Sequence, residues 1–151
     1  MILVAVVAMT LATPAASYAS APSPGVLGLS FDTSGSGSIV ATLTTSWGVG
    51  DCVALSGTTI EVRRPDDSGQ FFLAWHQWGY TNHTNNFDQW HSEFRLVDAA
   101  WTTIFLIDPV MDGAKMRTAD QVYEWTAYSS VRQIDPQRFA RVANVVWAGY
   151  C

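Results

Sequence analysis

The sequence is poor in charge, and its few positive charges are scattered. Only 14% of its 151 residues are charged, the net charge is −5 and the pI is about 4.9. Lysine occurs once and arginine seven times. A nucleic-acid-binding domain normally presents a basic face, and anionic membranes attract clustered Lys and Arg. The composition therefore argues against nucleic acid and anionic membrane surfaces as partners.

A hydrophobic run long enough to cross a membrane is also missing. Residues 1–13 are almost wholly apolar, but a spanning helix needs roughly 20 such residues. Pro14 breaks the run and Ser17-Tyr18-Ala19 is a small-x-small site, the order found in secretory signal peptides. Because no Lys or Arg precedes the run, an upstream start or an unusual membrane-associated helix is the alternative. We predict a signal peptide over residues 1–19 and a secreted mature chain from Ser20 with no stable membrane insertion.

Cysteine is scarce, with one residue at Cys52 and one at the C-terminal Cys151. An even number in a secreted chain favours a disulfide, and two cysteines allow one intramolecular pairing. Closing a loop of about 100 residues has a ceiling of about 4–5 kcal/mol in the chain-entropy model. Two free thiols, or an intermolecular bridge through Cys151, are the alternatives.

No repeat, linker or charge run divides residues 20–151, so we predict one domain there. Alternation of apolar and polar residues predicts a succession of strands separated by turns. The predicted strands cover 25–31, 39–47, 58–64, 70–78, 93–97 and 101–108. Pro65 to Gly69 has the residues of a tight turn, which makes the flanking strands a hairpin. The pattern predicts a mainly β domain, an antiparallel sandwich or barrel.

The last third of the chain fits two interpretations. Residues 118–131 begin with the pattern of a helix capping box, yet a strand there would place Tyr123, Trp125 and Ala127 on one face. Asp135-Pro136 is a good helix start, and helical spacing over 136–148 favours a C-terminal helix over a strand. A single C-terminal helix is therefore expected, and an α+β fold is the alternative.

The segment from Phe71 to Trp101 contains all three histidines and four of the seven tryptophans. It surrounds a polar insert, Thr81 to Asn86. Trp, Tyr and His combine an apolar ring with a polar tip, which suits recognition surfaces. We expect Trp47, Trp75, Trp101 and Trp125 to be buried. The predicted ligand-binding residues border or occupy the insert: Trp78, Tyr80, Asn82, His83, Asp88 and Trp90.

Catalytic and metal-dependent functions have weaker support. The spacing of His76, His83 and His91 matches no common zinc motif, so a metal site at these residues is an alternative and no cofactor is expected. A Gly-x-Ser-x-Gly elbow is absent. A secreted hydrolase or metal-dependent enzyme would use the histidines with Asp88 or Glu93.

The sequence favours a secreted, non-catalytic domain that binds an extracellular glycan or surface protein. The alternatives are the enzyme described above and a surface or structural protein that associates with copies of itself. Asn82-His83-Thr84 is also a glycosylation sequon, relevant where the host glycosylates secreted proteins.

Overall fold

Two antiparallel sheets form the fold in the computed structural model, which describes residues 25–151 apart from two side chains, at 108 and 109. The strands are β1 (Gly25–Ser30), β2 (Ser38–Thr42), β3 (Trp47–Val49), β4 (Cys52–Ala54), β5 (Thr59–Arg63), β6 (Gln70–Phe71), β7 (Leu73–Thr81), β8 (Asp88–Val97), β9 (Thr103–Met116), β10 (Tyr123–Tyr128), β11 (Arg132–Gln133) and β12 (Asn144–Tyr150). One short helix, α1 (Pro136–Phe139), precedes β12. The mainly β prediction is confirmed.

The order of the strands defines a sandwich. The four-stranded sheet runs β1-β12-β8-β9, and the six-stranded sheet runs β2-β5-β7-β4-β3, with β10 on the opposite edge of β7. β6 and β11 form a separate two-stranded ribbon. Within residues 25–151, no helix has the length and apolar character needed to cross a membrane. The predicted signal peptide, residues 1–19, lies outside the described residues.

The predicted hairpin of β5 and β7 is confirmed. Ile60 pairs with Trp75 and Val62 pairs with Leu73, and all four side chains point into the core. Pairing of this kind fixes the register because a slip of one residue would turn the apolar face outward.

The turn of this hairpin is held by Asp66 and Gly69. Gly69 has a φ of +78°, which glycine adopts without steric cost. The Asp66 carboxylate accepts hydrogen bonds from the Ser68 hydroxyl at 2.6 Å and from the amides of Ser68 and Gln70 at 2.9 Å. The Ser68 hydroxyl and these amides lower the pKa of Asp66, since each bond favours the ionised form.

A cluster of tryptophans fills the space between the sheets. Trp75 on β7 and Trp147 on β12 are fully buried, with ring centroids 5.8 Å apart. Trp47 and Trp90 lie 4.7 and 5.7 Å from Trp147. The Trp147 indole donates to the Ser92 hydroxyl at 2.9 Å, so its one polar atom is satisfied within the core. The expected burial of Trp75 is confirmed, and Trp47 and Trp125 pack against the cluster as partly buried rings.

The predicted disulfide joins Cys52 and Cys151, whose Cα atoms are 5.9 Å apart. Cys52 belongs to β4 of the six-stranded sheet, and Cys151 directly follows β12 of the four-stranded sheet. The bridge therefore ties the two sheets together at one end of the sandwich.

The predicted C-terminal helix is present but much shorter than residues 136–148. Asp135 does start a helix, and its carboxylate accepts from the amides of Gln137 and Arg138, but α1 ends at Phe139. Residues 144–150 form a central strand between β1 and β8 instead. Tertiary pairing overrides the helical spacing here, because Val145 enters the core while Val146 lies half-buried on the other face. The capping-box interpretation of 118–131 is also wrong, because β10 occupies that segment.

Two predicted strand ends are wrong as well. The segment predicted over 39–47 stops at Thr42, and Trp47 begins β3. The strand predicted to stop before Pro109 continues to Met116. Pro109 falls at a register shift between the pairs Ile107–Phe94 and Met111–Ser92, where a missing backbone N–H leaves no ladder bond unmade.

The expected burial of Trp101 is wrong, since its side chain is 51% exposed. It lies in the turn between β8 and β9 with a φ of +63°, and this backbone conformation carries the indole out of the strand alternation.

Candidate functional site

The outer face of the six-stranded sheet carries a row of rings along β7. The inward residues of β7 are buried and the outward ones are partly exposed, as the period of two in a strand requires. The outward side chains, with Phe72 just before the strand, are Phe72, Ala74, His76, Trp78 and Tyr80. The sheet thus presents a line of ring side chains with one small residue in it.

His76 and Trp78 form a connected unit at the middle of the row. Their ring centroids are 4.2 Å apart with the planes inclined at 51°. His76 Nε2 lies 2.9 Å from Glu124 Oε1 on β10, within hydrogen-bonding distance. The His76 and Glu124 side chains are 32% and 60% exposed, so the carboxylate orients the imidazole while both stay accessible to a ligand.

A shallow groove of about 400 Å³ lies over Ala74. The register explains it, because Ala74 faces Glu61 on one side and Tyr128 on the other. The small side chain is the floor and its neighbours are the walls. The lining residues are Thr59, Glu61, Phe72, Ala74, His76, Thr126 and Tyr128.

Aromatic rings close one end of this groove. The centroids of Phe72 and Tyr128 are 6.2 Å apart in an edge-to-face arrangement, and Tyr128 is 67% exposed. The Arg63 guanidinium lies 5.9 Å above the Phe72 ring, a cation–π distance. The groove therefore combines ring surface with three hydroxyls, an imidazole and the Glu61 carboxylate.

Five of the six predicted binding residues are divided among three places. Trp78 and Tyr80 belong to the row on β7. Asn82 and His83 are exposed in the loop that follows it, which leads from the six-stranded to the four-stranded sheet. Asp88 begins β8 at the disulfide end and is partly buried.

The expectation that Trp90 is exposed is wrong. Trp90 is fully buried in the tryptophan cluster, because β8 starts at Asp88 and its alternation turns Trp90 inward with Phe94. Gly149 gives the ring room, since a Cβ there would lie 2.6 Å from Trp90 Cζ3. Trp90 therefore has no ring surface available to a ligand.

The three histidines do not converge. His76 is on the outer face of the six-stranded sheet, whereas His91 is on β8 in the other sheet. His91 Nδ1 lies 2.6 Å from Asp112 Oδ1, and its ring stacks on Tyr150 at 5.0 Å. The enzyme alternative uses the histidines together, but only His91 shares the outward face of β8 with Glu93, whereas His76 lies on the outer face of the other sheet.

Another group of potential metal ligands lies at the disulfide. Among residues 25–151, one set of three or more such side chains is close together: Cys52, Asp88 and Cys151, within 4.8 Å. The two sulfurs are bonded to each other, so neither is a free thiolate. Asp88 is within hydrogen-bonding distance of the Thr81 hydroxyl, which also lies 2.8 Å from the His83 carbonyl oxygen. This cluster closes the loop after β7.

Comparisons with protein families, with characterised proteins and with solved structures found no match.

Sequence reasoning missed the β10 side of the groove. Glu124, Thr126 and Tyr128 alternate with Tyr123, Trp125 and Ala127, and that alternation was the available signal. It carried no weight because the same segment also fitted a helix.

Proposed function

We propose that this protein is a secreted, non-catalytic domain that binds a neutral extracellular glycan on the outer face of its six-stranded sheet. The observation that carries the proposal is the ring row of β7 beside the groove over Ala74. A pyranose ring has apolar C–H faces and hydroxyl edges, so it needs flat ring surface and hydrogen-bonding groups together. The groove supplies both.

The individual contacts follow from the exposed atoms. Tyr128 and Trp78 offer ring surface for stacking, an amphipathic use of aromatic side chains. Glu61 and Glu124 accept hydrogen bonds from sugar hydroxyls, and Thr126 both donates and accepts. A few polar groups placed around apolar surface fix the orientation of a ligand.

Charge favours a neutral ligand. The net charge of the chain is −5, and two carboxylates stand beside the ring row. An anionic polymer would meet these carboxylates as it approached along the row, whereas a neutral glycan accepts them as hydrogen-bond partners. The predicted signal peptide and the disulfide support an extracellular location, because disulfides persist in oxidising compartments.

The test is a binding screen against neutral polysaccharides and oligosaccharides, followed by calorimetry with a short oligosaccharide. We expect Tyr128→Ala and Trp78→Ala each to weaken binding roughly threefold to tenfold, the range of one ring contact. Tyr150→Ala is the matched control, because Tyr150 is a partly exposed ring on the outer face of the other sheet. Circular dichroism checks that each variant is folded.

The outcomes separate the alternatives. Binding that is lost with Tyr128 and Trp78 and kept in the control supports a glycan site on this face. Binding to a protein ligand with none to any glycan would contradict the proposal. Turnover of a polysaccharide that disappears in His76→Ala would contradict the non-catalytic assignment.

A further inference from the structure

The outer face of the four-stranded sheet carries exposed apolar side chains that are not part of the proposed glycan site. Three of them are more than half exposed: Val26 on β1 (60%), Trp101 in the turn before β9 (51%) and Leu106 on β9 (53%). Single exposed apolar residues are ordinary on protein surfaces. On this face Trp101 lies over Gly28, two residues from Val26 on β1, and contiguous apolar surface marks interaction sites.

Trp101 is presented by a tightly bonded turn. Its φ of +63° is rare for a bulky residue, and such strain is found where the surroundings enforce it. Asp98 enforces it here: its carboxylate accepts from the amides of Ala100 and Thr102 at 3.0 and 2.9 Å, and its carbonyl accepts from the Trp101 amide at 2.9 Å. Arg141 donates to the same carboxylate at 3.0 Å.

The indole of Trp101 lies over Gly28 on the edge strand β1. A Cβ at Gly28 would be 2.6 Å from Trp101 Cζ3 and 2.7 Å from Cη2. Only a residue without a side chain leaves this space. The ring therefore rests on the β1 backbone and stands above the sheet surface.

The register arranges the outward side chains of this face in two adjacent rows. The first row, from β1 to β9, is Gly28, Val146, Arg95 and Leu106. The second row, from β1 to β8, is Val26, Ala148 and Glu93. With Trp101 above Gly28, the first row is bulky and positive, and the second is smaller and negative.

We propose that this face binds a second copy of the chain through a two-fold axis that lies in the plane of the interface. The axis runs across the strands and passes over Phe94 on β8. Such an axis exchanges the two rows. Arg95 of each copy then faces Glu93 of the other, and Val146 faces Ala148. Trp101 faces Val26 of the second copy. The face is thus complementary to itself in charge and in size, as an isologous interface requires.

The area predicts a weak dimer. Four strands about 4.8 Å apart and about six residues long cover on the order of 400 Å². A standard interface takes roughly 800 Å² from each partner. Association is therefore concentration-dependent. It leaves both outer faces of the six-stranded sheets free and directed away from each other, which would make the dimer bivalent for a glycan.

The experiment is analytical ultracentrifugation of the full chain, as processed by a secreting host, from about 1 μM to about 1 mM. We expect a shift from monomer to dimer across this range. Trp101→Ser should raise the dimer dissociation constant about 30-fold, as expected when a large aromatic contact of an interface is removed.

A charge exchange tests the two-fold geometry itself. Arg95→Glu and Glu93→Arg each place like charges opposite one another twice and should raise the dissociation constant at least about tenfold. An equimolar mixture of the two variants should associate, because both contacts are then attractive in the mixed dimer. Glu61→Arg and Arg63→Glu are the matched controls, with the same spacing on the exposed face of the other sheet, and should leave the dimer unchanged.

Three results would overturn the proposal. The first is a monomer at every concentration. The second is a dimer that both Trp101→Ser and Arg95→Glu leave unaffected, which would place the contact on another surface. The third is failure of the mixed charge variants to associate although each alone is folded and monomeric, which would exclude this two-fold axis.

Discussion

Tyr128 on the six-stranded sheet and Trp101 on the four-stranded sheet are both more than half exposed, but their surroundings differ. Tyr128 stands at the wall of a groove, beside Phe72 and opposite Ala74. Trp101 stands above a glycine, with valine and alanine side chains in the adjacent row. One ring borders a space that a ligand can enter, and the other projects from a surface.

The polar groups differ in the same way. On the six-stranded sheet, carboxylates and hydroxyls surround the groove and leave accessible hydrogen-bonding atoms. On the four-stranded sheet, Arg95 and Glu93 stand in neighbouring rows with apolar residues beside them. Both faces combine an exposed ring with charged side chains. The groove over Ala74 makes the first face suitable for a small ligand, and the projecting ring of Trp101 makes the second face suitable for a protein surface.

The largest effect should come from removing the support that the two faces share. Trp75 is fully buried and contacts Trp125, Trp147 and Phe94 at centroid distances of 5.6 to 5.8 Å. We expect Trp75→Ala to lower the free energy of unfolding by about 3–5 kcal/mol, measured by chemical denaturation. Both faces should fail together, and loss of one activity without the other would show that the faces have separate supports.

A smaller effect should separate the two faces. Tyr128→Ala should weaken binding of a short oligosaccharide roughly threefold to tenfold without changing self-association. Trp101→Ser should weaken self-association without changing oligosaccharide binding, when calorimetry is performed on dilute protein with a monovalent ligand. The comparison between the faces breaks down if either variant changes both measurements.

A stabilising substitution is available in the core. Gln77 is fully buried on the inner side of β7, and neither atom of its amide has a hydrogen-bond partner among the described residues. Gln77→Met should raise the free energy of unfolding by about 1–2 kcal/mol, because an unpaired buried amide is unfavourable. Both faces should keep their activities. Exposed Gln133→Met is the control, and a lower Tm for the Gln77 variant would indicate that internal water satisfies the amide.

The smallest effect concerns pH. The Ser68 hydroxyl and neighbouring amides hold the pKa of Asp66 below its usual value, so its contribution to stability is present above the unfolded-state pKa of about 3.9 and is lost as pH falls below it. Asp66→Asn should lower Tm slightly at pH 7 and flatten the decline between about pH 5 and pH 2. An unchanged acid profile would show that the turn beside the groove does not depend on this carboxylate.

The sequence allowed the strands with strict alternation to be predicted, and with them the buried side of the β5–β7 hairpin. It did not allow the faces of Trp78 and Trp90 to be distinguished. Both residues border the same loop, but the sequence of the loop does not determine which residues of β8 face inward. Trp78 faces outward and Trp90 inward, and one of the three aromatic residues of the predicted site is buried.

The central strand β12 shows a second limit. Its neighbours Val145 and Val146 are both apolar, so the period of two is weak, and a buried strand with apolar residues on both faces resembles a helix segment. Trp101 shows a third, since its position depends on hydrogen bonds to Asp98 and on a glycine more than 70 residues earlier in the sequence. The contact with Gly28 is not visible from local pattern.

The bridge from Cys52 to Cys151 has a consequence for proteolysis. It makes residues 52–151 a covalent ring, in which every strand from β4 onwards is a member. A single cut in the exposed loop at Asn82 and His83 would open that ring without releasing a fragment, because both new pieces remain attached through the two sulfurs. A nicked molecule would therefore keep the strands of both faces on one covalent unit until a reductant separates them.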